Sequence, residues 1–335
     1  MIRLLHRIKP FKAEDAQGFL KRVALANFLK SGPELLASIT GSQTRIHKED
    51  IPRVAHYCLN SVAELAQLSG LELFKSGLSG IWQINGEQIS KSTFIASRYP
   101  KICPICLHEA PYIRGSWSLT LYVCCPIHQK LLVDKCQECN KRLKWNRRMV
   151  EYCNCGADLR KFDATKASPE SLFLAQLIDH RHDQDIKLNI PILTNREIER
   201  LASLSLDGLC KTIWFLGYYI ANLGTHRSGQ GRKIYTIDES EWVIHQALNL
   251  LCDWPNSLGN QLWTLSKRKP SASTDSLINR LFGPAQHYLN TEITDKELLY
   301  MRSAYEQHIR KIWLQFDKRT LPALSKTQLE LDLIC

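Results

Sequence analysis

The first hundred residues show the spacing of apolar side chains that is typical of amphipathic helices. Between Ala13 and Leu29, apolar residues recur every three or four positions, which places them on one helical stripe. The members of this stripe are Ala16, Phe19, Leu20, Val23, Ala24 and Phe28. Glu14 and Asp15 fall in the first turn, where the helix dipole favours acidic side chains. Gly32-Pro33 then ends this helix and opens a short one over Glu34–Ser38.

A further helix is predicted over Ser61–Leu68, and the residues around its end raise the question of a DNA-reading unit. In Val62–Phe74, Ala66 is followed four positions later by Gly70. Helix-turn-helix units use a small residue for close helix approach and a glycine for the tight turn. The same pair is common in any helical protein. The sequence therefore leaves both interpretations open, and it favours plain helical packing over a DNA-reading helix.

The pattern changes between residues 101 and 161, where cysteine becomes frequent and apolar runs become short. Residues 116–124 alternate as a half-buried β-strand would. One face of this predicted strand carries Trp117, Leu119, Leu121 and Val123, and the other carries Ser116, Ser118, Thr120 and Tyr122. Helical spacing returns after Ser168, with a helix start at Pro169-Glu170 that continues through Leu172–Ile178. Further helices are predicted over Arg196–Leu204, Leu209–Leu223, Trp242–Trp254 and Leu298–Phe316.

Composition adds a preference for an anionic partner and for a reducing compartment. The 335 residues carry a formal charge of +11, which favours nucleic acid as a partner, although many basic soluble proteins bind none. The N-terminus lacks an apolar core of signal-peptide length. The longest apolar stretch, Thr212–Gly224, is too short to span a bilayer and predicts a buried helix. We therefore expect a cytoplasmic protein, in which twelve cysteines indicate metal ligation rather than disulfides.

Eight of the cysteine and histidine residues form two successive quartets with the spacing of metal ligands. The first quartet is Cys103, Cys106, Cys125 and His128, and the second is Cys136, Cys139, Cys153 and Cys155. A two-residue spacer lets both ligands of a turn reach one ion, and a second turn completes a closed tetrahedral site. Gly156 supplies the backbone freedom that the tighter Cys153-x-Cys155 pair requires. The sequence thus predicts two structural Zn²⁺ ions.

Three other interpretations of these residues were weighed. Buried reduced thiols or redox-active Cys-x-x-Cys pairs would not explain His128 or the second half of each quartet. A RING-type ubiquitin ligase adaptor also uses eight ligands. Because its two sites are interleaved, only two or three residues separate its histidine from the next cysteine pair, whereas seven residues separate His128 from Cys136 in this chain. Cys124 is a rival for Cys125, which is preferred because Cys-Pro-x-His repeats the first turn. Cys58, Cys210, Cys252 and Cys335 are expected to be core thiols.

These predictions together give a mainly α fold with a small zinc-ribbon-like α+β module. We expect a helical N-terminal domain at 1–100, a tandem zinc-binding module at 101–161 and a helical C-terminal domain at 168–335. Residues 224–233 and 267–274 are predicted to be basic loops. Basic residues near the second quartet are candidates for a nucleic-acid or partner contact, and a solvated face explains them equally well. These candidates are Arg142, Lys144, Trp145, Arg147 and Arg148.

Enzyme motifs that involve similar residues are incomplete. A zinc deaminase needs His-x-Glu and then Pro-Cys-x-x-Cys, but Ile102 stands where that proline would be, before Cys103. A zinc protease needs His-Glu-x-x-His, and His108-Glu109 lacks the second histidine. The chain also lacks the Gly-x-x-x-x-Gly-Lys-Ser/Thr loop that cradles phosphates. We therefore predict that the protein is not an enzyme.

At these residues the chain resembles the TniQ family of bacterial transposition proteins. The resemblance rests on CPIC at 103–106, CPIHQKLL at 125–132, CQEC at 136–139 and CNCG at 153–156. The N-terminal PFKAEDAQGFLKRVALANF also resembles the opening of the family, although Gln17-Gly18 replaces its usual serine. Together these segments cover about the first 160 residues, and the helical remainder carries no specific motif.

The resemblance implies a function that composition does not. TniQ proteins are target-selection adaptors that link a target-recognising element to the AAA+ ATPase that recruits the transposase. In some systems the family member itself recognises DNA through helix-turn-helix units. In CRISPR-associated transposons, TniQ docks on an RNA-guided Cascade complex with its crRNA, often as a homodimer. The length of this chain favours the Cascade-docking type, and direct recognition of target DNA stays open as the alternative.

Overall fold

The computed structural model describes residues 4–41, 45–76, 79–96, 98–181, 190–222, 235–266 and 274–320. The chain divides into two compact units, which are treated separately here. The first comprises Met1–Cys210 and Gly231–His245, and the second comprises Lys211–Gln230 and Gln246–Cys335. Helices predominate over two small sheets, so the prediction of a mainly α fold with a small α+β module is confirmed. The three-domain division at 100 and 161 stays a prediction.

The first helix, α1, spans Ala16–Ala26 and is shorter at both ends than the predicted Ala13–Leu29. Asp15 is its N-cap rather than a residue of its first turn, because the Asp15 carboxylate accepts hydrogen bonds from the amides of Gln17 and Gly18. Glu14 lies before the cap and forms a backbone bridge with Arg114. At the other end, Phe28 has a positive φ of 58° and is 81% exposed, so it is not part of the buried stripe.

Three short helices complete the helical part of the N-terminal region: α2 at Gly32–Thr40, α3 at Ile51–Cys58 and α4 at Val62–Ala66. The predicted short helix after Gly32-Pro33 is therefore present. Helix α3 was not predicted, although its buried residues Ile51, Val54, Ala55 and Cys58 follow helical spacing. These helices share one apolar core with α1, to which Leu20, Val23, Leu36 and Leu65 contribute.

A three-stranded antiparallel sheet follows α4, in the order β1 (Leu71–Ser76), β2 (Ser79–Ile84) and β3 (Glu87–Ile89). The residues after Gly70 are therefore a strand, and the described part of 62–74 holds no helix-turn-helix. Gly70 does form a turn, with a φ of 77°, but its amide donates to the carbonyl of Gln83 in β2. The pair Ala66 and Gly70 thus marks a helix-to-strand turn, which the sequence could not distinguish from a turn between helices.

The predicted strand over 116–124 is wrong for all but its last residue. Gly115–Ser118 form a 3₁₀ turn, and the only strand residues of the segment belong to β4 (Cys124–Cys125), which pairs with β5 (Lys130–Leu131). Every residue from 116 to 124 is buried, so neither face is solvated. The polar residues bond inside the protein instead: the hydroxyl of Ser118 donates to Asp15 at 2.6 Å and that of Tyr122 to Asp179 at 2.6 Å. Alternating polarity here reflects internal hydrogen bonding.

Helices fill the rest of the chain. They are α5 (Pro104–Glu109), α6 (Pro169–Asp179), α7 (Asn195–Ser203), α8 (Leu206–Trp214), a π-helical turn (Phe215–Ile220), α9 (Ile237–Leu251), α10 (Asn256–Ser266), α11 (Thr274–Glu292) and α12 (Leu299–Thr320). The predicted helices near 169, 196, 209, 242 and 298 are present, whereas α10 and α11 were missed. The predicted loop at 224–233 lies outside the described residues, as does 267–273. Among the described helices, none is long and apolar enough to cross a bilayer.

The second unit has an aromatic core around the π-helical turn. The ring of Phe215 lies 5.6 Å from that of Tyr305, and the rings of Tyr219 and Tyr288 stack at 4.4 Å. The π-helical turn belongs to the apolar stretch at 212–224. The described apolar residues of this stretch include Ile213 and Leu216, which are buried. The prediction that this stretch is buried is therefore confirmed for residues 212–217 and for Ile220, whereas the other described residues of the stretch are half-buried.

Candidate metal centre

The first quartet comes together around a point that a metal ion can occupy. The ligand atoms of Cys103, Cys106, Cys125 and His128 all lie within 4.8 Å of one another. The sulfur atoms of Cys106 and Cys125 are 3.6 Å apart, and the His128 Nδ1 lies 3.4 to 3.5 Å from the three sulfur atoms. A zinc tetrahedron with bonds of about 2.3 Å to sulfur and about 2.0 Å to nitrogen has edges of roughly 3.5 to 3.8 Å. The spacing fits zinc.

Short local elements position these four side chains. Cys103 is the N-cap of α5, and Pro104 in its first turn sets a helical φ, so that Cys106 returns to the same point one turn later. Cys125 ends β4, and the amide of Gln129 donates to its carbonyl at 2.8 Å, which closes the turn that carries His128. The His128 Nε2 lies 3.0 Å from the carboxylate of Glu109. That contact fixes the ring so that Nδ1 faces the sulfur atoms, as is usual for metal-bound histidine.

The second quartet forms a second cluster with similar edges. The ligand atoms of Cys136, Cys139, Cys153 and Cys155 also lie within 4.8 Å of one another. The sulfur atoms of Cys136 and Cys155 are 3.6 Å apart, and those of Cys139 and Cys153 are 3.8 Å apart. Gly156 has a φ of 93°, which a side chain would disfavour, and its amide donates to the carbonyl of Cys153.

The grouping of the ligands is sequential, as the spacing predicts. A RING arrangement would pair the first Cys-x-x-Cys turn with the third, whereas here Cys103 and Cys106 meet Cys125 and His128. The sulfur atom of Cys125 belongs to the first cluster and that of Cys124 does not, which supports the preference for Cys125. Burial raises the pKa of the Cys124 thiol to about 12, so Cys124 is an inert core residue.

The two clusters differ in their exposure. The three cysteines of the first cluster are buried, whereas Cys155 is exposed and Cys139 and Cys153 are half-buried. Water and chelators therefore reach the second cluster more easily. Of the other cysteines, Cys58 and Cys210 are buried as predicted. Cys252 is exposed, which corrects its assignment as a core thiol, and Cys335 lies outside the described residues.

The predicted basic contact set is only partly on the surface. Lys144 and Arg148 are exposed and Trp145 is half-buried. Arg142 forms an ion pair with Asp134 at 3.2 Å and lies over the ring of Tyr99. Arg147 is a correction, because it is 1% exposed and its guanidinium donates to the carbonyls of Lys144 and Val150. The side chain of Arg147 shapes the loop between the ligand pairs of the second cluster and cannot contact a phosphate there.

Sequence reasoning missed a lysine that joins α1 to this loop. Lys21 is 1% exposed, and its ammonium group donates to the carbonyl of Trp145 at 2.5 Å and to the carbonyl of Arg147. Burial, and to a smaller extent the charge of Arg147, lower the pKa of Lys21 to about 6. The signal for this contact was weak in the sequence, because Lys21 only interrupts the apolar stripe between Leu20 and Val23.

Comparison with known families agrees with the resemblance noted above. Residues 5–132 match the family model described as TniQ. The matched span runs from the N-terminal helices through the complete first cluster and ends at Leu132, before the second cluster begins at Cys136. Comparison with curated proteins gives no match. Residues 5–132 of this chain are therefore similar to the TniQ family, and the resemblance is confirmed over that span.

Proposed function

We propose that this chain is a non-catalytic adaptor in bacterial DNA transposition. It couples recognition of a target site by a crRNA-loaded Cascade complex to the AAA+ regulator that recruits the transposase. Two zinc ions hold its ligand segment in shape, and it acts in the cytoplasm as a homodimer. The observation that carries this proposal is the TniQ match over residues 5–132, and the remaining steps follow from what that family does.

The chemistry of the two clusters supports a structural role for the metal. Each cluster offers four protein ligands, so a tetrahedral ion bound there keeps no open position for water or substrate. A catalytic zinc site has three protein ligands and a fourth position that is open. The arrangement therefore supports an adaptor rather than a hydrolase or a deaminase. Metal binding instead supplies folding free energy to a segment with very little regular structure.

The choice between RNA-guided and direct recognition rests on the residues after Gly70. The strand at Leu71–Ser76 takes the place where a recognition helix would lie. This favours a protein that receives the target from a guide-bearing complex, in which base pairing identifies the sequence. Direct recognition of DNA is favoured by a different observation, the exposure of Lys144 and Arg148 beside the second cluster.

Co-purification tests the proposal. The whole chain, loaded with zinc, is mixed with Cascade that carries crRNA and, as the control, with Cascade subunits prepared without crRNA. We expect co-elution with the crRNA-loaded complex, and we expect the AAA+ ATPase to be retained only when this chain is present. No co-elution, together with tight binding of this chain to one DNA sequence at moderate salt, would reverse the assignment in favour of direct recognition.

A further inference from the structure

A cavity in the first unit has the chemistry of an anion site. It has a volume of about 210 Å³, and its lining includes Arg98, Tyr99, Arg142, Thr236 and Ser240. Neither zinc cluster contributes a ligand residue to its lining. The cavity is therefore separate from the metal centre and is not explained by it.

Contacts within the protein hold the two arginine side chains of the cavity in place. The guanidinium carbon of Arg142 lies 4.9 Å from the centre of the Tyr99 ring, and that of Arg98 lies 5.6 Å from the same ring. Asp134 also lines the cavity, but its carboxylate is paired with Arg142 at 3.2 Å, which orients that guanidinium. Arg98 is exposed and contributes the charge that Asp134 does not offset.

The start of α9 also lines the cavity. The Thr236 hydroxyl accepts a hydrogen bond from the amide of Glu239 at 3.1 Å, and the Glu239 carboxylate accepts from the amide of Thr236 at 2.9 Å. This capping box engages the carboxylate of Glu239. Ser240, one turn into α9 and 1% exposed, adds a hydroxyl to the lining. The Thr236 hydroxyl itself donates to the Glu239 carboxylate at 3.2 Å, so it offers the cavity no free donor. The Ser240 hydroxyl, together with the guanidinium groups, is a donor suited to the oxygen atoms of a phosphate.

Lys101 lines the cavity too, but its ammonium group is committed to the protein. It donates to the carbonyls of Leu119 at 2.5 Å and Tyr122 at 2.6 Å. Burial lowers the pKa of Lys101 to about 7, so Lys101 is neither a ligand residue nor a fixed positive charge in the cavity. The recognition residues are left as Arg98, Arg142 and Ser240.

The geometry points to a phosphate-binding site formed by Arg98, Arg142 and Ser240. Its surroundings favour a phosphate of a nucleic-acid strand over a free phosphate, because the exposed Lys141 and Lys144 lie within two residues of Arg142 in the chain. Together with Arg142, they also line the space around the cysteines of the second cluster. A strand seated in the cavity would thus continue along exposed lysines. The choice of a strand as the source rests on the proposed role in transposition, whereas the phosphate chemistry does not.

The site is tested by titrating the zinc-loaded whole chain with a short single-stranded oligodeoxythymidylate at several salt concentrations. Arg98→Gln removes a guanidinium that is exposed and whose only described contact in the cavity wall is Tyr99. We expect this variant to bind about tenfold more weakly. We also expect its log–log salt slope to be shallower by roughly 0.7, the amount expected for one phosphate contact on a single strand.

Two matched variants separate the cavity from general charge. Ala96→Phe fills the cavity without altering charge, and we expect it to weaken binding to a similar extent. Arg53→Gln removes the same charge from an exposed position on α3, outside the cavity, and is expected to bind as the parent protein does. Zinc content and melting temperature are measured for each variant, so that loss of folding is recognised as such.

The outcomes distinguish the two sources of phosphate and the two proposals. One possible result is that inorganic phosphate or adenosine monophosphate binds, that both cavity variants abolish this binding, and that the oligonucleotide does not bind. The site would then take a free phosphate, and a nucleic-acid strand would be rejected as its ligand. If Arg98→Gln and Ala96→Phe bind every probe as tightly as the parent protein does, the proposed phosphate site is rejected. That result leaves the adaptor proposal intact, because co-elution with Cascade tests the adaptor proposal independently.

Discussion

Lys21 places an ammonium group in the protein interior and satisfies it with backbone carbonyls. Its acceptors are the carbonyls of Trp145 and Arg147, so the contact joins α1 to a loop more than a hundred residues away in the chain. A buried ammonium group is unfavourable when it is charged, and the neighbouring Arg147 adds repulsion, which together lower the pKa of Lys21 to about 6. The pKa of Lys21 therefore depends on how closely α1 and the loop pack against each other.

This lowered pKa predicts a stability that depends on pH. The folded chain gives up the Lys21 proton near pH 6, whereas the unfolded chain keeps it up to the ordinary value of 10.5. Between these values the unfolded state binds more protons, so this residue makes stability rise with pH, by at most about 1.4 kcal/mol per pH unit. We expect the free energy of unfolding of the parent, minus that of Lys21→Met, to increase from pH 6 to pH 9.

Denaturant unfolding at each pH, with zinc present throughout, measures this difference. Lys48→Met removes an exposed lysine and is the matched control for the loss of a lysine side chain. Both variants carry the same metal sites, so the pH dependence of zinc binding cancels in the comparison. A difference between the parent and Lys21→Met that stays flat with pH would mean that Lys21 is not desolvated in solution.

At the scale of elements, the sequence predicted what depends on local spacing and missed what depends on long-range packing. The two quartets were assigned residue by residue, because metal geometry constrains spacing along the chain. The strand over 116–124 was predicted from alternating polarity, but its polar face is buried and bonded to Asp15 and Asp179. Similarly, nothing near Arg147 in the sequence indicated that its side chain would turn inward to bond Lys144 and Val150.

The two clusters lead to a prediction about metal content and folding. The parent protein is expected to bind two zinc ions, and Cys103→Ser and Cys136→Ser are each expected to lose one. Structural zinc contributes on the order of 10 kcal/mol to small units that it folds. We expect Cys103→Ser to lower the melting temperature more, because Cys103 is 0% exposed among core residues, whereas the second cluster includes an exposed ligand, Cys155.

Elemental analysis and thermal melting measure both effects. Cys124→Ser is the matched control, since Cys124 is adjacent to a ligand and buried but contributes no ligand atom. It should retain two ions per chain. A parent protein that holds far fewer than two ions would remove the basis for the structural zinc sites, and a Cys124→Ser variant that loses an ion would reassign the ligand.

At the scale of the whole molecule, the family match and the folded unit have different boundaries. The TniQ match ends at Leu132, but the packing that supports it continues. Strand β5 ends at Leu131, Ile102 pairs with Val133, and Lys21 needs the carbonyls at 145 and 147. The unit that contains the match extends to Cys210 and takes in Gly231–His245. Homology over 5–132 therefore marks a shared region and does not define a segment that folds alone.

This difference predicts how a truncated chain behaves. A fragment ending at residue 132 keeps all four ligands of the first cluster, so it should still bind one zinc ion. It removes the two carbonyl acceptors of Lys21 together with the loop that carries them, and each hydrogen bond lost in this way costs roughly 1 kcal/mol. We expect the fragment to melt well below the whole chain, or without a cooperative transition. Lys21→Met should change the stability of the fragment less than that of the whole chain, because the fragment has already lost these contacts. Calorimetry on the four proteins makes the comparison, and a fragment that melts like the whole chain would show that the contacts beyond Leu132 contribute little to the stability of the matched region.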